Sequence, residues 1–165
     1  MAISTRPIDS DAATGADALV LGSIGYERFP QVTEFADHLR AAGIERLVDV
    51  RELPISRRRG FAKTALSEAL AAVGIEYVHL RALGNPKPIR DLYKSGRPTE
   101  GRRRYAAHLA EHGDDALDTL LEHLDERRCA LMCVEHDVEV CHRQVIIDAL
   151  RDRASRDVIV RDLGQ

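Results

Sequence analysis

Apolar residues along this chain follow two patterns, short continuous runs and stripes spaced three or four residues apart. The continuous runs are bounded by turn-forming residues, and their length predicts buried β-strands. Five strands are predicted: Ala18–Ile24, Arg46–Arg51, Ile75–Leu80, Cys129–Val134 and Asp157–Leu163.

The segments between the strands carry the helical pattern, with apolar residues on one face. Their stripes are Val32–Leu39, Leu66–Val73, Tyr105–Leu109, Leu117–Leu124 and Val145–Leu150. Gly43 and Gly74 are predicted helix ends, and Asp114 is predicted to cap the fourth helix. Residues 52–63 and 84–101 lack either pattern because glycine, proline and arginine interrupt them, and they are predicted to be long loops.

Strands and helices alternate, which predicts a single three-layer α/β/α domain with a mainly parallel sheet of about five strands. The domain is expected to cover residues 18–165. Residues 1–17 are polar and aperiodic, and they indicate a mobile N-terminal leader.

Composition limits the class of protein only loosely. The 165 residues carry a net charge of −3 and a pI near 6.2, so no overall attraction to nucleic acid or membrane is expected. Arg57–Arg59 and Arg102–Arg104 are basic clusters, whereas residues 111–126 are acidic, which predicts two oppositely charged sides. Three cysteines without a signal peptide or membrane-spanning run indicate a cytoplasmic protein with reduced thiols.

Polar residues collect where the predicted strands end. The turn after the fourth strand, residues 133–143, holds two thiols, two imidazoles, three carboxylates and an arginine. Loops that follow parallel strands share one edge of the sheet, so this turn should meet the polar ends of the other strands. Those ends carry Ser23, Tyr26, Asp49, Arg51, His79 and Arg81.

Four sequence motifs, in order, resemble the DUF488 family, a domain of unknown function. They are GSIGY, LVDVR-x-x-P-x-SRRRGF, GIEYVHLRALG and ALMCVEHDVEVCHR, and the resemblance spans residues 19–162. It implies the signature positions Asp49, Arg51, Pro54, Ser56, Arg57, Phe61, Cys133, Glu135, Cys141, His142 and Arg143. The chain departs from the family pattern at Gly25-Tyr26-Glu27 and Leu83-Gly84-Asn85. The resemblance implies a fold and a site but no reaction.

The first hypothesis for this site is a pocket for a phosphate-bearing ligand, a nucleotide or nucleic acid, with any reaction on that ligand left open. Arg143 near a helix N-terminus would bind the anion, together with Arg51, Ser56 and Arg57. The candidate catalytic groups are Asp49, Glu135, Cys141 and His142. In the competing structural interpretation, Arg143 pairs with Asp49 or Glu135.

A second hypothesis is a thiol-dependent enzyme of rhodanese-like or redox type that uses Cys141 or Cys133. The spacing of these cysteines from Arg143 differs from that in rhodanese-like and phosphatase-like sites. Glu135, Asp137 and Glu139 share the turn and are expected to raise the thiol pKa values.

Metal binding and protein interaction are the remaining hypotheses. Cys133, Glu135, Cys141 and His142 could share a metal if the turn folds back, although their spacing is not a standard zinc pattern. Asp49, Glu135 and His142 could instead hold a hard cation. A non-catalytic interaction domain would use the two charged sides. The sequence specifies neither the cofactor nor the oligomeric state.

Overall fold

The computed structural model describes residues 17–164 and shows one sheet of five parallel strands. The strands are β1 (Leu19–Gly25), β2 (Arg46–Asp49), β3 (Glu76–His79), β4 (Cys129–Cys133) and β5 (Val158–Asp162). Their order across the sheet is β3-β2-β4-β1-β5. The predicted α/β fold with a parallel five-stranded sheet is therefore confirmed. The predicted leader, except for Asp17, lies outside the described residues.

Within residues 17–164, six α-helices cover the two faces of the sheet. They are α1 (Val32–Ala41), α2 (Lys63–Ala71), α3 (Lys87–Lys94), α4 (Pro98–His112), α5 (Asp114–Glu126) and α6 (Arg143–Arg153). α1 and α2 pack on one face, and α4, α5 and α6 pack on the other. This division follows from right-handed crossovers, because the chain moves one way across the sheet from β1 to β3 and returns from β3 to β5. Among residues 17–164, no helix combines the length and apolar character needed to cross a membrane.

The central strand β4 shows how the two cores are built. It is buried along its whole length, and successive side chains point to opposite faces. Leu131 and Cys133 join the core under α4, α5 and α6, whereas Ala130 and Met132 join the core under α1 and α2. Cys133 therefore ends β4 on the side from which α6 approaches.

The structure differs from the sequence prediction at α3 and at Asp114. Residues 84–101 were predicted to be a loop, but α3 forms within them because a proline in the first turn of a helix costs no hydrogen bond. Asp114 is not a cap: Gly113 occupies the N-cap position, without a side-chain cap hydrogen bond. The Asp114 carboxylate instead pairs with Arg153, so tertiary charge pairing replaces the local cap.

Candidate functional site

The ends of β1, β2 and β4 lie side by side at the C-terminal edge of the sheet. β4 is hydrogen-bonded to both neighbours, with Gly25 opposite Cys133 and Asp49 opposite Met132. The chain after β4 then crosses this edge, and His142 Nε2 lies 2.8 Å from the Val50 carbonyl oxygen. The structure thus brings the polar strand ends and the 133–143 turn together.

Asp49 and Arg51 form a closed ion pair at the end of β2. The Asp49 carboxylate is fully buried and accepts hydrogen bonds from Arg51 Nε at 2.9 Å and Nη2 at 2.8 Å. It also accepts one from the Tyr77 hydroxyl at 2.5 Å. Burial and this hydrogen bond to a carboxylate both raise the pKa of Tyr77. Asp49 therefore has its acceptor sites occupied by protein donors.

The remaining nitrogen of the Arg51 guanidinium, Nη1, holds the loop that follows β2. Nη1 donates to the Phe61 carbonyl oxygen at 2.8 Å, and the Phe61 ring stacks on Tyr26 with centroids 4.6 Å apart. Burial alone would lower the pKa of Arg51, but the hydrogen bonds and charge of Asp49 outweigh it and raise the pKa. The guanidinium, predicted to bind a ligand, anchors its own loop, and Arg51 also lines the pocket described below.

Arg143 is also surrounded by acceptors from the protein. It is 1 % exposed, and its Nη1 donates to Ser23 Oγ at 3.1 Å. Nη2 donates to the Glu135 carbonyl oxygen at 2.5 Å, and Nε contacts Cys141 Sγ at 3.4 Å. The side chain therefore ties α6 to β1 and to the turn, and in the structure it pairs with neither the Asp49 nor the Glu135 carboxylate.

Cys133, Cys141 and His142 form a buried cluster, here called the thiol–imidazole centre. Their ligand atoms all lie within 4.8 Å of one another, and the two sulfur atoms are 2.50 Å apart. Cys141 Sγ lies 3.7 Å from His142 Nδ1, and Cys133 Sγ donates to Glu135 Oε2 at 3.1 Å. Three of the predicted candidates, Glu135, Cys141 and His142, thus meet around Cys133.

The two thiols of the centre differ in acidity. Burial, followed by the neighbouring Cys141, raises the pKa of Cys133 well above its ordinary value. Burial opposes ionisation of Cys141 as well, but the hydrogen bond from Cys133 and the positive charges of His142 and Arg143 lower its pKa well below the ordinary value. The pKa of Cys133 is raised as expected, but mainly by burial and Cys141 and not by the acidic residues of the turn. The expected rise is wrong for Cys141, because the sequence did not show which charges would face each sulfur.

Ser56 and Arg57 lie apart from this centre. Ser56 Oγ accepts from the Tyr26 hydroxyl at 3.2 Å, and the Arg57 side chain is exposed. Neither residue lines the pocket that opens over the centre. Both belong to the segment that Arg51 anchors, and their predicted role in ligand binding stays a prediction.

An open pocket of about 250 Å³ lies over the thiol–imidazole centre. Most of its walls come from residues that were not predicted to belong to the site, in the loop after β2, in α3 and the segment just before it, and in the turn after β4. The unassigned lining residues are Glu52, Leu53, Ile55, Asn85, Arg90, Tyr93, Lys94, Val134 and Val140. Asn85 was noticed only as a departure from the family pattern, and the helix that carries Arg90, Tyr93 and Lys94 was not predicted.

The family model for DUF488, a domain of unknown function, matches residues 31–150. The chain belongs to the DUF488 family. No curated protein and no solved structure gives a significant match. The matched part of this DUF488 protein contains β2, β4 and the thiol–imidazole centre, together with every pocket-lining residue. Ser23 and Gly25, which support the turn from β1, precede it.

Gly25 sets how closely the turn of this DUF488 protein can approach the sheet. A Cβ atom placed on Gly25 would lie 1.7 Å from the Glu135 carbonyl oxygen, so any side chain would displace the turn. We expect Gly25→Ala to destabilise the protein by about 1–3 kcal/mol, the usual cost of overpacking. Urea unfolding will measure this change.

A matched control for that substitution is Gly96→Ala, which lies at the end of α3. Gly96 has a φ of +78° with open space around it, so alanine there adds backbone strain without touching the turn. Both variants should lose stability, but only Gly25→Ala should change the reactivity of Cys133 and Cys141. Equal thiol reactivity in the two variants would contradict the proposed contact.

Proposed function

We propose that this DUF488 protein is a metal-dependent enzyme that holds zinc or a similar transition-metal ion at the thiol–imidazole centre. The observation that carries the proposal is the convergence of two sulfur atoms and one imidazole nitrogen within 4.8 Å on the wall of an open pocket. Two cysteines and one histidine form a known ligand set for catalytic zinc. Soft sulfur ligands favour zinc over magnesium or calcium.

His142 is oriented as a metal ligand. A carbonyl oxygen only accepts hydrogen bonds, so Nε2 at 2.8 Å from the Val50 carbonyl must hold the ring proton. In the neutral ring, Nδ1 then has a free lone pair, and it faces Cys141 Sγ. A backbone carbonyl on the far side of a histidine is the usual support for a metal-bound imidazole.

The distance between one sulfur atom and the imidazole nitrogen also fits a shared ion. Tetrahedral zinc places a sulfur and a nitrogen ligand roughly 3.5–3.8 Å apart, and Cys141 Sγ to His142 Nδ1 measures 3.7 Å. The Cα atoms of Cys133 and Cys141 are 7.8 Å apart. That distance exceeds the usual range of about 4.4–6.8 Å for a disulfide. The backbone therefore suits two thiolates on one ion better than a disulfide.

Glu135 gives the centre a group that can move a proton. Its Oε2 atom lies 3.1 Å from Cys133 Sγ, so it lies beside any water held at the centre. Three protein ligands leave a coordination position open, which distinguishes catalytic zinc from structural zinc. Zinc lowers the pKa of a bound water, and a neighbouring carboxylate can accept the proton. These features support hydrolysis as the class of reaction.

A thiol-dependent enzyme is the second candidate function, favoured by the contacts of Cys141. Its sulfur receives the Arg143 backbone N–H at 3.5 Å, at the start of α6, and the Arg143 Nε–H at 3.4 Å. Hydrogen bonds at a helix N-terminus stabilise a thiolate whether it attacks a substrate or binds a metal. Metal content must decide between these two functions.

Phosphate or nucleotide binding remains a proposal with less support from the contacts. Arg51 and Arg143, the expected anion donors, are both held by acceptors within the protein. Arg57 is exposed but does not line the pocket. A hard cation at Asp49 has similarly little support, because Arg51 and Tyr77 occupy that carboxylate.

Metal analysis of the protein purified under reducing conditions tests the proposal. We expect about one zinc-class ion per chain and, after exchange into cobalt(II), the thiolate-to-metal absorption of a tetrahedral site. Cys141→Ser and His142→Ala should lose both signals. Cys129→Ser is the matched control. Cys129 is a buried thiol on β4, the strand that also carries Cys133, but its sulfur contacts the His123 carbonyl oxygen and lies outside the centre.

Alkylation of the same samples separates the two candidate functions. A metal centre should protect Cys141 from iodoacetamide until a chelator is added. A protein that binds no metal, yet is alkylated at Cys141 near pH 6 much faster than a free thiol, would overturn the metal proposal in favour of the thiol enzyme. If Cys129→Ser lost the metal as well, the assignment of the ligands would be wrong.

A further inference from the structure

Exposed large apolar side chains of the described residues are concentrated at the rim of the pocket. Within residues 17–164, the large apolar side chains that are exposed are Leu53, Ile55, Val134 and Val140. All four line this pocket. Isolated apolar residues on a surface are ordinary, but a group around a concave site indicates that a ligand covers it. The ligand therefore has an apolar body.

Two residues that line this pocket each carry a buried polar atom without a hydrogen-bond partner among the described residues. Asn85 is 4 % exposed, and its Oδ1 atom is buried without a hydrogen bond. The Tyr93 hydroxyl, on the adjoining helix α3, is likewise buried and unpartnered. An unsatisfied buried polar atom costs about 1–3 kcal/mol. A carbonyl oxygen such as Asn85 Oδ1 only accepts, so the group that satisfies it must be a donor.

The charges that line the pocket are largely compensated. Arg90 Nη1 pairs with the Glu52 carboxylate at 3.0 Å, and Arg51 is neutralised by Asp49. Lys94 is exposed at the rim, and Glu135 adds a carboxylate near the centre. Two thiolates would balance the charge of a divalent ion. Arg143 beside the centre adds a positive charge, but its N–H groups are held by Ser23 Oγ and the Glu135 carbonyl oxygen. Apart from Lys94 at the rim, no arginine or lysine of the lining therefore offers free N–H groups to a phosphate.

We infer that the pocket binds a small uncharged molecule with an apolar body and an N–H-bearing head group, such as a primary carboxamide or an aminoheterocycle. Its N–H donates to Asn85 Oδ1, and its apolar part contacts the rim. The inference rests on the proposed function, because the metal is expected to complete the wall that the head group faces. It names the substrate class of that same site.

Two probes that differ only in their N–H groups test this inference. Benzamide should bind the zinc-loaded protein with a Kd of roughly 1 mM or tighter, and N,N-dimethylbenzamide should bind at least about tenfold more weakly. Asn85→Ala should weaken benzamide binding by a similar factor, because the acceptor is lost. Lys87→Ala is the control, because Lys87 lies on the exposed face of α3 outside the pocket, and it should leave benzamide binding unchanged. Isothermal calorimetry measures each Kd.

The outcomes separate this inference from the metal proposal. Zinc content should be the same in wild type and Asn85→Ala, since Asn85 is not a ligand of the centre. Zinc-loaded protein that fails to bind benzamide, binds both amides equally, or releases benzamide when inorganic phosphate is added overturns the inference and leaves the metal centre standing. Wild-type protein that takes up no zinc instead overturns the proposed function.

Discussion

Replacing Asp49 with alanine should destabilise the fold by about 3–5 kcal/mol, the usual cost of leaving one partner of a buried ion pair without the other. Asp49 is fully buried, and Arg51 is 5 % exposed, so little solvent is available to replace the lost carboxylate. The Tyr77 hydroxyl would lose its acceptor as well. Urea unfolding of wild type and variant measures the difference.

Two further variants show whether this loss comes from the buried charge. Removing both charges with Asp49→Ala and Arg51→Met should cost less than Asp49→Ala alone, because no unpaired cation remains. Asp91→Ala removes a carboxylate that pairs with Lys87 at 2.9 Å on the exposed face of α3, and it should change stability little. If Asp49→Ala were as stable as wild type, the ion pair with Arg51 would not be needed for folding. Asp49 would then be available to act on a ligand, as predicted from the sequence.

Replacing Arg143 with alanine should destabilise the fold by about 1–3 kcal/mol for each buried acceptor that is left without its donor. Its side chain is the donor to Ser23 Oγ and to the Glu135 and His136 carbonyl oxygens, so several buried acceptors would lose their partner together. Arg143→Lys keeps the positive charge but lacks the planar guanidinium with its several N–H donors. It should therefore recover only part of the lost stability. Thermal and urea unfolding, each with and without a chelator, measure the effect.

Arg103→Ala is the control for this prediction. Arg103 is an exposed arginine in α4, within the basic cluster 102–104, and its removal should leave stability nearly unchanged. An Arg143→Ala protein that unfolds like wild type but loses affinity for phosphate would contradict the structural role and restore Arg143 as an anion-binding residue.

The sequence predicted the scaffold because secondary structure in this chain follows local periodicity. Each of the five apolar runs forms a strand, and the stripes at Val32–Leu39 and Leu117–Leu124 lie in α1 and α5. Parallel pairing then follows from alternation alone. It also places the 133–143 turn beside the end of β2. The prediction failed at α3, because Pro86 and Pro88 were read as loop signals although proline is compatible with the first turn of a helix.

The partners of the polar side chains could not be predicted in the same way. Asp49 and Arg51 were identified from their position at a strand end, and Arg143 from its position near a helix N-terminus. Their contacts are nevertheless with other groups of the protein, which are each other, neighbouring side chains and backbone carbonyls. A buried charge takes whichever partner satisfies it in three dimensions, and sequence spacing does not show that choice. For the same reason, the contrast in pKa between Cys133 and Cys141 was not foreseen.

The sequence by itself therefore determined the three layers, the parallel sheet and the edge of the sheet at which the polar site residues gather. These features depend on the spacing of apolar residues and on the right-handedness of the crossover connections. Only the tertiary structure decided which of those residues form hydrogen bonds or ion pairs within the protein and which face the pocket. It brought Cys133 to Cys141 and His142 across the turn, and it placed Asn85 and Tyr93 in the pocket with them. Contacts of this kind depend on how loops pack against a finished sheet, which no local pattern records.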